Sequence, residues 1–226
     1  MTRLDVILVE PQEGGNLGSI CRALKTLGFR PPMLLDAPVD IEAAPEARRL
    51  AHGAREYLDE IERVVNFEEF EERYDFLVGT TARRRRAVSE YIDARQLPAL
   101  LEAKGGTVSK VALLFGSEAS GLSSGILRRC DLVSTVPLAT SYPSLNLAQA
   151  VLLYAYELSP LHSRARGEAS SRAEGTEYRA LRRRVEAILQ EGRGNPALSG
   201  RVLERLALLE AQDVDLLHSV LNLLRR

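Results

Sequence analysis

Residues 132–158 read LVSTVPLATSYPSLNLAQAVLLYAYEL, and the fold turns on how this stretch divides. Val133 to Val136 is a β-branched run suited to a strand, and Pro137, Ser141 and Pro143 make the next segment a loop. From Leu145 to Leu158 the chain is apolar and free of glycine and proline. Leu147, Val151, Tyr154 and Leu158, flanked by Ala148, Leu152 and Ala155, form a stripe wide enough for a largely buried helix. Ser144 is a candidate N-cap, with Asn146 and Gln149 following in the first turn. In an open α/β sheet, ligands sit beyond the carboxyl ends of the strands, where helix N-termini offer free N–H donors, so this is a candidate ligand loop. An ordinary serine-capped turn fits the same pattern.

Directly upstream, Lys110 to Phe115 is an apolar run of the kind found in strands covered on both faces, and it runs straight into Gly116-Ser117-Glu118-Ala119-Ser120-Gly121-Leu122. Glycine at either end of that segment lets the backbone approach a ligand closely. A helix is expected over Ser124 to Cys130. Further upstream, the strand YDFLVGT ends at Thr80 and is followed by Thr81, Ala82 and four arginines, Arg83 to Arg86. Two hydroxyls and a basic run after a strand can hold a ligand and grip a phosphate backbone, or can simply be a solvated loop.

At the N-terminus, LDVILV (4–9) reads as the first strand. The glycine-rich loop after it opens a helix whose buried stripe is Leu17, Ile20, Leu24 and Leu27, with Asn16 as candidate N-cap and Gly28 as its stop. Arg22 falls on the opposite, polar face with Ser19 and Thr26, either as a solvated charge or as a group aimed outward for a purpose. The loop is not a phosphate-binding P-loop, because no GK[ST] follows the glycines, and it does not fit GxGxxG. Short strands at 33–36 and near Val64 and Val65 alternate with helices at 41–52, 54–61, 67–72 and 96–103. Strand–helix alternation throughout 1–160 predicts an α/β domain with a mainly parallel sheet.

With 226 residues and 45% hydrophobic content the chain can build one ordinary core plus an appendage. It has no apolar run of the roughly 18 residues a membrane span needs and no secretory leader pattern, so a cytoplasmic protein without membrane contact is expected. Cys21 and Cys130 lie far apart, and His52, His162 and His218 are scattered, so no metal is expected. Residues 1–160 hold 18 basic and 22 acidic side chains, whereas 161–226 hold 12 and 9, so the tail is the more basic part. Small polar residues over 161–177 predict a linker, and helical patterns at 178–190, 197–209 and 213–224 predict a helical C-terminal extension at 178–226.

Three motifs now stand in order: GGNLGSICRALKTLGF (14–29), LLFGSEASGL (113–122) and VPLATSYPSLNLAQAV (136–151). Together they resemble the signature motifs of the SpoU/TrmH-type methyltransferases of the SPOUT superfamily. VGTTAR (78–83), SLNLAQAV (144–151) and AYE (155–157) look most like the TrmJ group, and GNPALSGRVLERL (194–206) resembles that group's extension. The resemblance implies a trefoil knot near the end of the domain, S-adenosylmethionine bound there, a homodimer with the site completed across its interface, and no metal. It implies methylation of a ribose 2′-OH, for this group at nucleotide 32 of the tRNA anticodon loop. Another tRNA site, ribosomal RNA, or a non-catalytic RNA-binding role on the same fold are the alternatives.

Carried over residue by residue, Arg22, Asn16 and Ser144 would be catalytic, and Arg83, Arg84, Arg85 and Arg86 would bind RNA. Thr80, Thr81, Gly116, Glu118, Val136, Leu138, Ser144, Leu145 and Asn146 would bind the cofactor. Leu138-Ala139-Thr140 and Pro143 depart from the family's usual third motif.

Overall fold

A computed structural model describes residues 2–82, 90–140, 145–167, 176–191 and 195–223, the side chains of 162–167 excepted. Arg83 to Arg86 and Ser144 therefore lie outside the described residues, as does the later part of the expected linker. The strands are β1 (Arg3–Val9), β2 (Met33–Leu35), β3 (Glu62–Val64), β4 (Phe76–Thr80), β5 (Ile92–Asp93), β6 (Lys110–Phe115) and β7 (Leu132–Thr135). The first helices are α1 (Gly14–Thr26), α2 (Pro45–Ala51), α3 (Arg55–Asp59), α4 (Phe67–Glu71), α5 (Leu97–Ala103) and α6 (Ser124–Arg129). They are followed by α7 (Leu147–Gly167), α8 (Glu177–Glu191), α9 (Pro196–Leu206) and α10 (Ala211–Leu223).

All seven strands join one parallel sheet in the order β3-β2-β1-β6-β4-β7-β5. β1 and β6 lie at its centre, paired from Arg3 opposite Lys110 to Leu8 opposite Phe115, and helices cover them on both sides. That double cover is why they read as continuous apolar runs rather than alternating ones. Leu4, Val6, Leu113 and Phe115 face a core shared with α1, α2, α5 and α7, while Ile7, Val9, Ala112 and Leu114 face α4 and α6. α1 is held against α2 at Gly18, where a Cβ would lie 2.2 Å from the Ala47 carbonyl oxygen, so only glycine permits this approach.

The right-hand side of the sheet has an uncommon arrangement. Thr80 of β4 and Ile92 of β5 both pair with Ser134, one on each side of β7. The chain continuing from β7 therefore leaves between the two ends of the segment that joins β4 to β5. The two-residue β5 was not foreseen from sequence, because it is too short to carry a periodic pattern and exists only through its pairing with β7.

The linker expectation needs correcting at its start. Residues 161–167 continue α7 as helix, although their composition is polar. Leu158 is buried and Leu161 packs on the core, so tertiary contact overrides composition. Pro160 lies inside this helix. Its missing N–H would leave the Tyr156 carbonyl unpaired, and the Ser159 hydroxyl donates to that carbonyl at 2.8 Å instead.

The C-terminal helices share the core of the sheet. Tyr178, Leu181, Leu206, Ala207 and Val214 are buried in the same cluster as β4 and β6. The Tyr178 ring lies 5.2 Å from Phe76, and its hydroxyl donates to Asp131 at 3.0 Å. Asp131, just before β7, also accepts the Leu77 N–H at 2.7 Å and pairs with Arg182 of α8, so a buried carboxylate fastens β4, β7 and α8 together. From the other side Lys104, fully buried, donates to the Ala207 and Leu209 carbonyls at 2.6 and 2.8 Å and sits over the Phe76 and Tyr178 rings.

Burial lowers the Lys104 pKa to about 8, against an opposing pull from Asp131. Between that value and the 10.5 of a free lysine, the unfolded chain holds a proton the folded chain has lost. Wild-type stability measured against Lys104→Met should therefore rise with pH across this window and level off above it, as read by urea denaturation. In the same assay Tyr178→Ala is expected to cost about 3–5 kcal/mol. Melting of the extension apart from the sheet would contradict the shared core.

Candidate functional site

Four connections meet at the carboxyl ends of the central strands: the one after β1, that after β4 beginning at Thr81, the Gly116–Gly121 segment after β6, and the segment after β7. They enclose a cleft of about 390 Å³. This is the crevice position in which open α/β sheets carry their ligands.

The floor is set by local bonding. Thr80, at the end of β4, donates its hydroxyl to the Leu114 carbonyl at 2.8 Å, and the Thr81 N–H reaches the Ser134 carbonyl at 3.0 Å. After β6 the chain doubles back, with the Gly121 N–H donating to the Ser117 carbonyl at 2.9 Å. A Cβ on Gly116 would lie 2.1 Å from the Gly121 carbonyl carbon and the Leu122 nitrogen, so that turn closes only over glycine. Tyr154 of α7 forms the back wall. Its ring packs edge-on against Phe115 at 5.4 Å, and its hydroxyl donates to Ser134 at 3.1 Å, which in turn donates to the Ile92 carbonyl at 2.9 Å. Burial raises the Tyr154 pKa, so this hydroxyl stays protonated and serves as a donor.

Asn16 ties the rim together. α1 begins at Gly14 after Glu13, so Asn16 is not the N-cap expected from sequence but a third-position residue with 7% exposure. Its amide nitrogen donates to Glu118 at 2.9 Å and Glu13 at 3.1 Å, and its amide oxygen accepts from the Asn146 side chain at 2.8 Å. Glu118 also accepts the backbone N–H groups of Gln12 and Glu13 at 2.9 and 3.3 Å. The positive end of the α1 dipole offsets the two carboxylates gathered here. Asn146 caps α7, accepting the Ala148 N–H at 2.7 Å while its own N–H donates to Gln149 at 3.0 Å. Asn146 thus holds the position before α7, and Ser144, the cap expected from sequence, lies outside the described residues.

Comparison with known proteins agrees with this fold. Residues 3–156 match the model of the SpoU rRNA Methylase family. The chain belongs to the SpoU methylase family. Residues 175–226 match the C-terminal domain of the tRNA/rRNA methyltransferase LasT. This SpoU methylase is 36% identical to the uncharacterized tRNA/rRNA methyltransferase LasT of Escherichia coli strain K12, over 97% of this chain and 96% of the other. It is 29% identical to the tRNA (cytidine/uridine-2′-O-)-methyltransferase TrmJ of Pectobacterium atrosepticum, over 98% and 96%. Among solved structures, TrmJ from Z. mobilis ZM4 superposes with a TM-score of 0.66 at 27% identity, covering 98% of this chain and 99% of that one. The SpoU methyltransferase AviRb from Streptomyces viridochromogenes, solved in complex with AdoMet, gives 0.56 at 25%, covering 71% and 58%.

Of the residues singled out by sequence, this SpoU methylase places Thr80, Thr81, Gly116, Glu118, Val136, Leu138, Leu145 and Asn146 on the cleft. Asn16 binds two of them from behind. Arg22 is exposed on α1 and does not line the cleft of its own chain. Sequence reasoning assigned Tyr154 only to the core stripe; its position opposite Phe115 depends on a strand pairing that no local pattern reveals. No group of three His, Cys, Asp or Glu suited to a metal occurs among the described residues, and no helix among them is long and apolar enough to cross a membrane.

Removing the buried Asn16 amide breaks two hydrogen bonds to carboxylates and one to Asn146, so Asn16→Ala should destabilise the fold by about 1–3 kcal/mol. Combined with Asn146→Ala in a double-mutant cycle read by urea denaturation, the two losses should fall short of additive by about 1 kcal/mol. Strict additivity would deny the coupling.

Proposed function

We propose that this chain is an S-adenosylmethionine-dependent 2′-O-ribose methyltransferase acting on tRNA, with a cytidine or uridine at nucleotide 32 of the anticodon loop as its target. The supporting observation is the convergence of Asn16, Glu118 and Asn146 from three distant motifs on one cleft, in a chain that matches TrmJ over nearly its whole length. The cleft suits the cofactor. Its lining mixes apolar with neutral polar groups, it carries Glu13 and Glu118, and among the described lining residues there is no lysine or arginine. A nucleoside bearing a cationic sulfonium fits that charge, whereas a phosphate-bearing cofactor finds nothing there to pair with.

When bound, S-adenosylmethionine supplies a methyl group already activated for displacement. The acceptor is the harder side, because a ribose hydroxyl is a weak acid whose developing charge must be stabilised while it is held in line. Arg22 takes this role. A guanidinium offers donors and no acceptor, so it does not act as the base. It holds a substrate phosphate and the 2′-oxygen, and a phosphate oxygen or water accepts the proton. Asn16 orders the start of the Arg22 helix, and Ser144 orients the acceptor.

Arg22 must then come from a second copy. α1 packs against α7, and α7 presents Leu152 and Tyr156 at 45% and 65% exposure. A homodimer formed on this face covers that apolar pair and brings each Arg22 to the opposite cleft. The same reading includes a catalytic domain at 1–160 with a trefoil knot, the chain after β7 passing through the segment that joins β4 to β5. It also includes RNA contacts at Arg83 to Arg86 and in the basic C-terminal helices, and a place in the cytoplasm.

Purified protein incubated with S-adenosylmethionine and unmodified bulk tRNA should yield 2′-O-methyl nucleosides that map by mass spectrometry to nucleotide 32. Arg22→Ala should lower turnover about 10²-fold or more with cofactor affinity unchanged. Wild-type turnover in that variant removes the proposed role of Arg22, and methylation at another position refutes the assigned target.

A further inference from the structure

Among the described residues β5 pairs only with Ser134 and Thr135, which leaves the flank of β7 at Leu132 and Val133 without a strand beside it. α9 stands across that gap. Between them is a second cavity, of about 440 Å³, with Leu132 and Val133 on its floor, Arg128 of α6 on one wall and Arg201 of α9 on the other. Most of the charged groups around it are already committed. Arg182 is paired with Asp131 and Glu186, Glu90 with Arg205, and Glu204 also has a partner. Arg128 and Arg201 differ: both are exposed, and among the described residues neither makes an ion pair or a side-chain hydrogen bond. Two unneutralised cations thus face one groove with an apolar floor, an arrangement that an external polyanion would neutralise.

The groove also lies close to the candidate cleft. Val133 on its floor and Val136 on the cleft are three residues apart along one extended chain, about 10 Å. Arg128 sits on the helix that follows the Gly116–Gly121 segment. A single RNA can therefore reach both places.

We infer that the groove between α6 and α9 is a second RNA contact, in which Arg128 and Arg201 grip the phosphodiester backbone of the RNA whose ribose is presented at the cleft. The inference rests on the methyltransferase reading above and extends it to a surface formed jointly by the sheet and the C-terminal helices. Phosphate contacts of this kind position the RNA without reading its bases, so they contribute uniformly across tRNA sequences.

The test is fluorescence anisotropy of labelled, unmodified tRNA with the full-length protein, as wild type and as the Arg128→Ala/Arg201→Ala double variant, across a range of salt concentrations. Each lost phosphate contact flattens the dependence of log affinity on log salt by about 0.7 to 0.9, so the double variant should be shallower by about 1.4 to 1.8. Its affinity at low salt should fall about tenfold or more. Both side chains are exposed, so thermal melting and S-adenosylmethionine affinity should match wild type. An unchanged salt slope in the double variant, with or without a loss of affinity, overturns the groove contact. Sensitivity of a labelled polyglutamate peptide, rather than tRNA, to the substitutions assigns the groove to an acidic protein and also overturns it. Failure of the wild-type protein to methylate any tRNA counts against the methyltransferase reading instead, so the two failures are distinguishable.

Discussion

The carboxamide of Asn16 uses both of its ends. Its nitrogen binds the carboxylates of Glu13 and Glu118, and its oxygen accepts from Asn146, so one side chain joins loops separated by more than a hundred positions in sequence. Neutral amides suit this position. A charge at 7% exposure would need full pairing, whereas an amide presents a donor and an acceptor in fixed geometry and bridges a carboxylate to another amide. Where described, the connections that line the cleft lie outside the strands and helices, so their arrangement depends on these few directional bonds and on the sheet beneath them.

The sheet in turn depends on its far end. Asp131 and Lys104 are buried charges of opposite sign that fasten the C-terminal helices to β4 and β7, with Phe76 and Tyr178 packed between them. Each is costly to strand: losing Arg182 leaves Asp131 uncompensated away from water, and losing the Ala207 and Leu209 carbonyls does the same to Lys104. β7, which begins beside Asp131, leads directly to Val136 and Leu138 on the cleft. The extension is thereby mechanically continuous with the candidate site even though composition alone marks it as a separate segment.

The central strands were legible in sequence because burial on both faces leaves unbroken apolar runs, and the three loops were legible because glycine, proline and polar residues interrupt those runs at strand ends. The features that eluded the sequence depend on partners far along the chain. β5 has two residues and no pattern. α7 outlasts its apolar stripe because Leu161 finds the core and Ser159 supplies the hydrogen bond that Pro160 cannot. Asn16 looked like a helix cap, and only the three-dimensional neighbourhood of Glu118 and Asn146 reveals it as a bridge. Composition likewise could not show that Tyr178 belongs to the same core as Phe76.

The position of β7 between two strands joined by a short connection also constrains the order of assembly. Among the described residues β5 has no ladder partner except β7, which is made some forty positions later, so Ile92 and Asp93 must wait without a sheet while the chain between them and Leu132 emerges. During synthesis the half of the sheet from β3 to β1 can pair locally, whereas this edge closes only after β7 arrives. Its formation is a long-range event, slow by topology, and the exposed flank of β4 in the interval is where a nascent chain of this family is most open to wrong pairing.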